Sequence, residues 1–430
     1  MKRSKNKIWL IIVLLASSIA IFGLPGTQAS EEQTINSSHQ PSLGAEVENG
    51  LSYLIDLAQQ PKSVFDPNRV HSLLEFIVAG NTSARPADPA KRASGFGVCL
   101  RSDIQAPLER ILRYGFNPRI PSYVILPKLL RLSGRYPESD LVAQDIKIWN
   151  SVSTIDKPLV LRGREYEVTT PDTSTGGYYR YDLDRLTILL QYRGSPLLIS
   201  VSKMTRPSDV GKRAVIVDDP NWTYFYSGEK GLSPAILKWM DTFIYDTSSI
   251  MIFHPAGSNR RVTNVTLFKW INAGWLGMNV VKPDHIRAGS ERFIENFKYV
   301  MESQDTPDDA TLAQKYNQMQ NLPDENLETL IKNYARNFEQ YAMKHNELSE
   351  DRFSRLIRNG GYAQILNREE RVGVLMLEFL KSQFGKQPLI DFNLAGSDSQ
   401  GFVSKGVAKN AIPRSKHALP PHIRPHPFYN

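Results

Sequence analysis

At 430 residues and 41% apolar content the chain can bury an ordinary core, and its length suggests two or three domains. A single cysteine, Cys99, excludes an intramolecular disulfide, so stability has to come from packing. The formal charge of +8 sits at the ends: the first 29 residues carry four of the 52 basic residues and none of the 44 acidic ones, and the segment from Ser397 onward carries five against one. Residues 30–396 are therefore neutral at 43 against 43, which excludes a general electrostatic attraction of the folded body to nucleic acid.

Lys2, Arg3, Lys5 and Lys7 precede an apolar run from Ile8 to Leu24, which Pro25 and Gly26 interrupt. Thr27-Gln28-Ala29 offers small residues at cleavage spacing, so residues 1–29 are expected to be a signal peptide cut after Ala29. That predicts a periplasmic or extracellular protein with no transmembrane domain after cleavage. No cysteine stands at the cleavage site, so a lipoprotein is not expected.

Residues 30–43 are polar and read as a linker. Residues 44–150 read as a mainly helical N-terminal region. Leu51, Leu54, Ile55 and Ala58 recur at helical spacing, and Pro67 opens a second helix that Gly80 stops. Ser102-Asp103 reads as the start of a third, with Leu108, Ile111 and Leu112 on one face and Gly115 as its stop, and Ser139 or Asp140 as the cap of a fourth through Leu141, Ile146 and Trp149.

From 151 to 303 the period changes to that of an antiparallel β-rich domain. Leu159–Leu161 and Tyr166–Val168 flank Arg162-Gly163-Arg164 as a hairpin, and Leu186–Tyr192 and Leu197–Val201 flank Arg193-Gly194-Ser195-Pro196 as a second. Arg213–Asp218 and Trp222–Tyr226 pair around Asp219-Pro220-Asn221, and Ile250–His254 is a further strand. Leu267, Ile271, Trp275 and Met278 recur at about 3.6 residues, so Val265–Val281 is expected to be a helix, with Gly274 and Gly277 permitting close approach. Residues 304–390 form a C-terminal helical region, and 391–430 a basic Pro/His-rich tail too poor in apolar residues to fold. The fold class is α+β: a central antiparallel β-rich domain flanked by N-terminal and C-terminal helical regions.

Candidate chemistry concentrates between Tyr178 and Val281, which hold 15 of the 42 aromatic residues. Tyr178, Tyr181, Trp222, Tyr224, Trp270 and Trp275 are the ligand-binding candidates, for an apolar or aromatic molecule, a lipid or a glycan. Gly231-Leu232-Ser233-Pro234-Ala235 approaches a nucleophile elbow, with Asp241 or Asp246 and then His254 or His285 in hydrolase order. The simpler reading of Ser233 is a helix N-cap with Pro234 at N1. Cys99, between Val98 and Leu100, reads as a buried thiol. No metal-ligand spacing occurs in the folded body, so no metal or other cofactor is expected. The leading expectation is a non-enzymatic exported binding protein for such a ligand or for an envelope partner. The alternative is a serine-type hydrolase using Ser233.

Overall fold

The computed structural model describes residues 43–80, 85–172, 176–231, 240–257, 260–344, 348 and 351–392. The expected signal peptide, the linker to residue 42, Ser233 and the tail from 393 lie outside the described residues. The architecture is α+β: a large antiparallel sheet with helices packed around it.

Two helices come first, α1 (Ala45–Gln59) and α2 (His71–Val78). The third segment departs from the helical expectation, because β1 (Phe96–Ile104) runs straight through Ser102-Asp103 and α3 (Leu108–Gly115) starts only after Pro107. A short helix α4 (Ser122–Ile125) leads to β2 (Leu130–Arg135) and a single turn α5 (Asp140–Ala143). Both strands within residues 44–150 belong to the central sheet. Their partners are 30 or more residues away in sequence, so local periodicity does not reveal them.

The sheet continues with β3 (Leu159–Thr169), β5 (Arg180–Tyr192), β6 (Ser195–Met204), β9 (Thr242–Ala256) and β10 (Val262–Trp275), in the order β1-β10-β9-β6-β5-β3-β2, with β11 (Met278–Asn279) pairing to β10. The hairpin expected at Arg193-Gly194 is present. Both residues have positive φ, 51° and 75°, as the two-residue turn that follows the strand twist requires. The hairpin expected at Arg162-Gly163-Arg164 is absent, since β3 passes through unbroken. Gly163 answers a close approach there instead of a turn: a Cβ would lie 2.8 Å from the Ser139 side chain.

The helix expected over Val265–Val281 is also strand. β10 is an inner strand covered on both faces, so Val265, Leu267, Phe268 and Trp270 are all buried, and an apolar set this dense matches a 3.6-residue period by coincidence.

One sheet face carries Leu186, Ile188, Leu190, Leu197, Ile199, Val201, Ile250, Ile252 and Phe268, and packs on α1 and α2. The opposite face carries Leu189, Leu198, Phe253, Val265 and Leu267 in a core shared with α3 and with α6 (Pro283–Glu302). A second, three-stranded sheet is made of β4 (Gly177–Tyr178), β7 (Lys212–Asp218) and β8 (Thr223–Lys230). It packs among α7 (Asp309–Gln320), α8 (Asp324–Ala342), α9 (Asp351–Ile357) and α10 (Arg368–Gln383), where Phe225 meets Phe338, Phe353 and Tyr362 at ring separations of 5.3–6.2 Å.

Candidate functional site

The aromatic candidates do not converge on one void; they are divided between two cores. Trp270 is buried on the α1–α2 side, stacked on Phe268 and donating its indole N–H to the Ala90 carbonyl at 2.8 Å. Tyr178, Trp222 and Tyr224 belong to the other core. Tyr178 and Tyr226 flank the guanidinium of Arg131, whose carbon lies 5.2 and 4.0 Å from the two ring centres, and Arg131 pairs with Glu370 at 3.0 Å. An aromatic clamp of this kind is what a cationic ligand would use, and the chain fills it with its own arginine. Tyr224 donates to Asp219 at 2.8 Å and Tyr181 to Glu167 at 2.9 Å, each satisfied within the fold. Trp222 is fully buried, edge-on to Phe384 and Tyr299. Trp275 lies partly exposed at the end of β10.

The hydrolase constellation loses its His254 arm. Asp246 and His254 lie on the same strand, β9, eight residues apart, and at about 3.3 Å per residue that separates them by roughly 26 Å. Asp241 is farther still, just before the strand begins. Asp246 is held by Lys203, and burial lowers the pKa of His254. His285 serves the start of α6, where its Nδ1 accepts from the Lys282 N–H at 3.5 Å. Cys99 is buried, and its thiol is pushed up to about 12, which leaves it unreactive at neutral pH. Among the described residues no group of three or more His, Cys, Asp or Glu side chains converges as a metal site would require.

A large cleft lies elsewhere. It has a volume of about 1010 Å³ and is bounded by the end of α3 and the loop after it, by β2 and β3, by the segment 142–150, and by α7. Its floor is a buried ion group. Arg135 meets Glu165 at 3.1 Å, and Arg185 meets the other carboxylate oxygen of Glu165 at 2.9 Å. The remaining Arg135 donors go to the carbonyls of Gly115, Asn117 and Ile120, which ties the loop after α3 to the sheet. Burial by itself would raise the Glu165 pKa, but the guanidinium groups of Arg185 and Arg135 outweigh it and hold the carboxyl below its ordinary range.

The walls carry both rings and amides. Tyr166 lies across β2 because Gly134 opposite it has no side chain; a Cβ there would come within 2.5 Å of the ring. Arg180 covers the same ring at 4.1 Å and Glu369 accepts from its hydroxyl. Tyr316, on α7, stands edge-on to Tyr123 at 6.3 Å, and burial pushes its hydroxyl up to about 12. Asn117, Asn150, Gln314, Asn317 and Gln320 supply planar amide groups. Arg113 and Arg119 reach the cleft, each already paired at 2.7 Å with an acidic neighbour, Glu109 and Asp145. Sequence reasoning missed this site because its walls come from segments up to about 200 residues apart. Gly134 inside an apolar strand pattern was the one local sign of a close approach.

The chain matches no protein-family model and no curated protein. Among the described residues no helix is long and apolar enough to cross a membrane.

Proposed function

We propose that this is an exported, non-enzymatic binding protein whose ligand site is the cleft between β2–β3 and α7, and that the ligand is a polyhydroxylated, glycan-like molecule. The observation that carries the reading is the pairing of Tyr166 and Tyr316 with five amide side chains and two peripheral arginines in one cleft of about 1010 Å³. The Tyr316 ring takes the C–H face of a sugar, while planar amides meet its hydroxyls as donors and acceptors and guanidinium groups as donors. A lipid tail fits these walls poorly, because it would take their amide and guanidinium groups out of water without offering them hydrogen bonds. Export rests on the basic start and apolar run of residues 1–29.

Isothermal titration calorimetry of the chain against a panel of soluble oligosaccharides tests the reading. At least one should bind, and Tyr316→Ala should weaken it about tenfold or more, equivalent to roughly 1.4 kcal/mol. Asn317→Ala should cost less. A panel without heat of binding, or a Tyr316→Ala variant that binds as well as the parent, would sink the proposal.

A further inference from the structure

The end of the β10–β11 hairpin has a composition that folding does not call for. Trp275 pairs with Met278 and Gly274 with Asn279, so Leu276 and Gly277 form a two-residue turn. Both have positive φ, 51° and 78°. This is the turn that Asn-Gly ordinarily fills, because a leucine pays for its Cβ in the left-handed region. Leu276 is also 82% exposed, and Met278 beside it is 52% exposed. The largest aliphatic side chain at the apex is therefore in a conformation it does not favour and in an environment it does not favour.

The apex is nonetheless built firmly. β9 has a bulge opposite Asn272 and Ala273, where Tyr245 is the extra residue. The Tyr245 hydroxyl oxygen accepts from the Gly277 N–H at 2.8 Å, and its ring stacks with Phe243 at 6.1 Å. Asn279 donates to the Ser94 carbonyl at 3.0 Å and Asn272 to that of Ala93 at 3.1 Å, so the neighbouring turn braces the base. A rigid projection that keeps an aliphatic tip in water is arranged for a surface, not for the core.

We propose that this apex is a lipid-contacting anchor: Leu276 and Met278 enter the acyl boundary of a bilayer surface, and Trp275, Phe243 and Tyr245 lie at headgroup level. The order along the hairpin, aliphatic first and aromatic behind, is the order in which these side chains partition across a membrane interface. A protein partner is disfavoured by size. One two-residue turn and its flanking pair offer a small part of the roughly 1,000 Å² that a stable protein interface buries, whereas insertion into a fluid needs no matching surface. The insertion rests on aliphatic and aromatic side chains, so binding should depend little on lipid charge or salt.

Flotation of the full chain with vesicles of phosphatidylcholine, and of phosphatidylcholine with phosphatidylglycerol, tests this. The chain should float with both, and brominated acyl chains should quench a tryptophan signal that Trp275→Phe removes. Leu276→Asn creates the favoured Asn-Gly turn, so it should keep or raise the thermal midpoint while lowering the vesicle-bound fraction at least tenfold. The variants share one N-terminus, so the apolar run of residues 8–24 contributes equally to each. Equal flotation of Leu276→Asn, no flotation of the parent, or quenching that survives Trp275→Phe would each overturn the proposal. So would self-association in sedimentation that Leu276→Asn abolishes while vesicles are ignored.

Discussion

The two faces of the central sheet are made from alternate residues of the same strands, yet they differ in kind. Toward α1 and α2 the strands present mainly Leu, Ile, Val and aromatic side chains, with the buried Cys99 and Thr266 among them and the Lys203–Asp246 pair toward one end. Toward α3 and α6 the same strands carry a band across the sheet in which Arg185, Ser202, Ser249 and Lys269 stand directly opposite one another in register. Ser202 and Ser249 share a hydrogen bond of 2.7 Å. Beside the band, Thr187 and Ser200 also pair in register, with buried hydroxyls that find no partner among the described residues. The dry face gains about 1.5–3 kcal/mol per buried side chain. The polar face gives up part of that gain, and its band leads through Glu165 and Arg135 to the floor of the cleft. One face serves stability, and the other supports a site.

The contrast can be broken most severely at Glu165. Glu165→Leu leaves Arg135 and Arg185 buried without their carboxylate and should cost about 3–5 kcal/mol in urea denaturation. Because the folded pKa of Glu165 lies below its unfolded value, its contribution is fully present above the ordinary glutamate range. It is lost as pH falls through the folded value. The acid limb of the parent's stability profile should therefore flatten in the variant; an unchanged limb would mean the carboxylate is not held by the two arginines.

Lys269 runs the other way. Burial, reinforced by Arg185 and partly opposed by Glu167, lowers its pKa from the ordinary 10.5 to about 8. Between these values the unfolded chain binds the extra proton, so stability should rise with pH across that window, and below about 8 the charged lysine is a constant cost. Lys269→Met should raise stability at neutral pH by about 2 kcal/mol and abolish the rise between pH 8 and 10.5. A loss of stability in that variant would show that the ammonium group is well solvated or well paired. The smallest effect is expected at Thr187→Val, which removes an unpartnered hydroxyl at nearly constant shape and should be neutral or stabilising by up to about 1 kcal/mol.

Legibility followed the range of the forces involved. The turn at Arg193-Gly194, the helical segment that Pro67 opens and the helical period of the C-terminal region are local features, set by a few adjacent residues, and periodicity and turn chemistry reach them. β10 was misread because burial on both faces erases the period-two signature. Gly163 was misread because a glycine needed for close approach looks the same in sequence as one needed for a turn. The aromatic candidates were named from density alone. Density does not say that Arg131 fills the space between Tyr178 and Tyr226.

By itself the sequence determined the fold class, the main hairpin and the helical C-terminal region, because side-chain period and backbone preference act within a few residues. Only the tertiary structure decided that β1 and β2 close the two edges of the sheet and that the aromatic centre is divided between two cores. It alone brought Tyr166 and Tyr316 together across a cleft. Those outcomes depend on which distant surfaces exclude water together, and no short window of sequence contains that information.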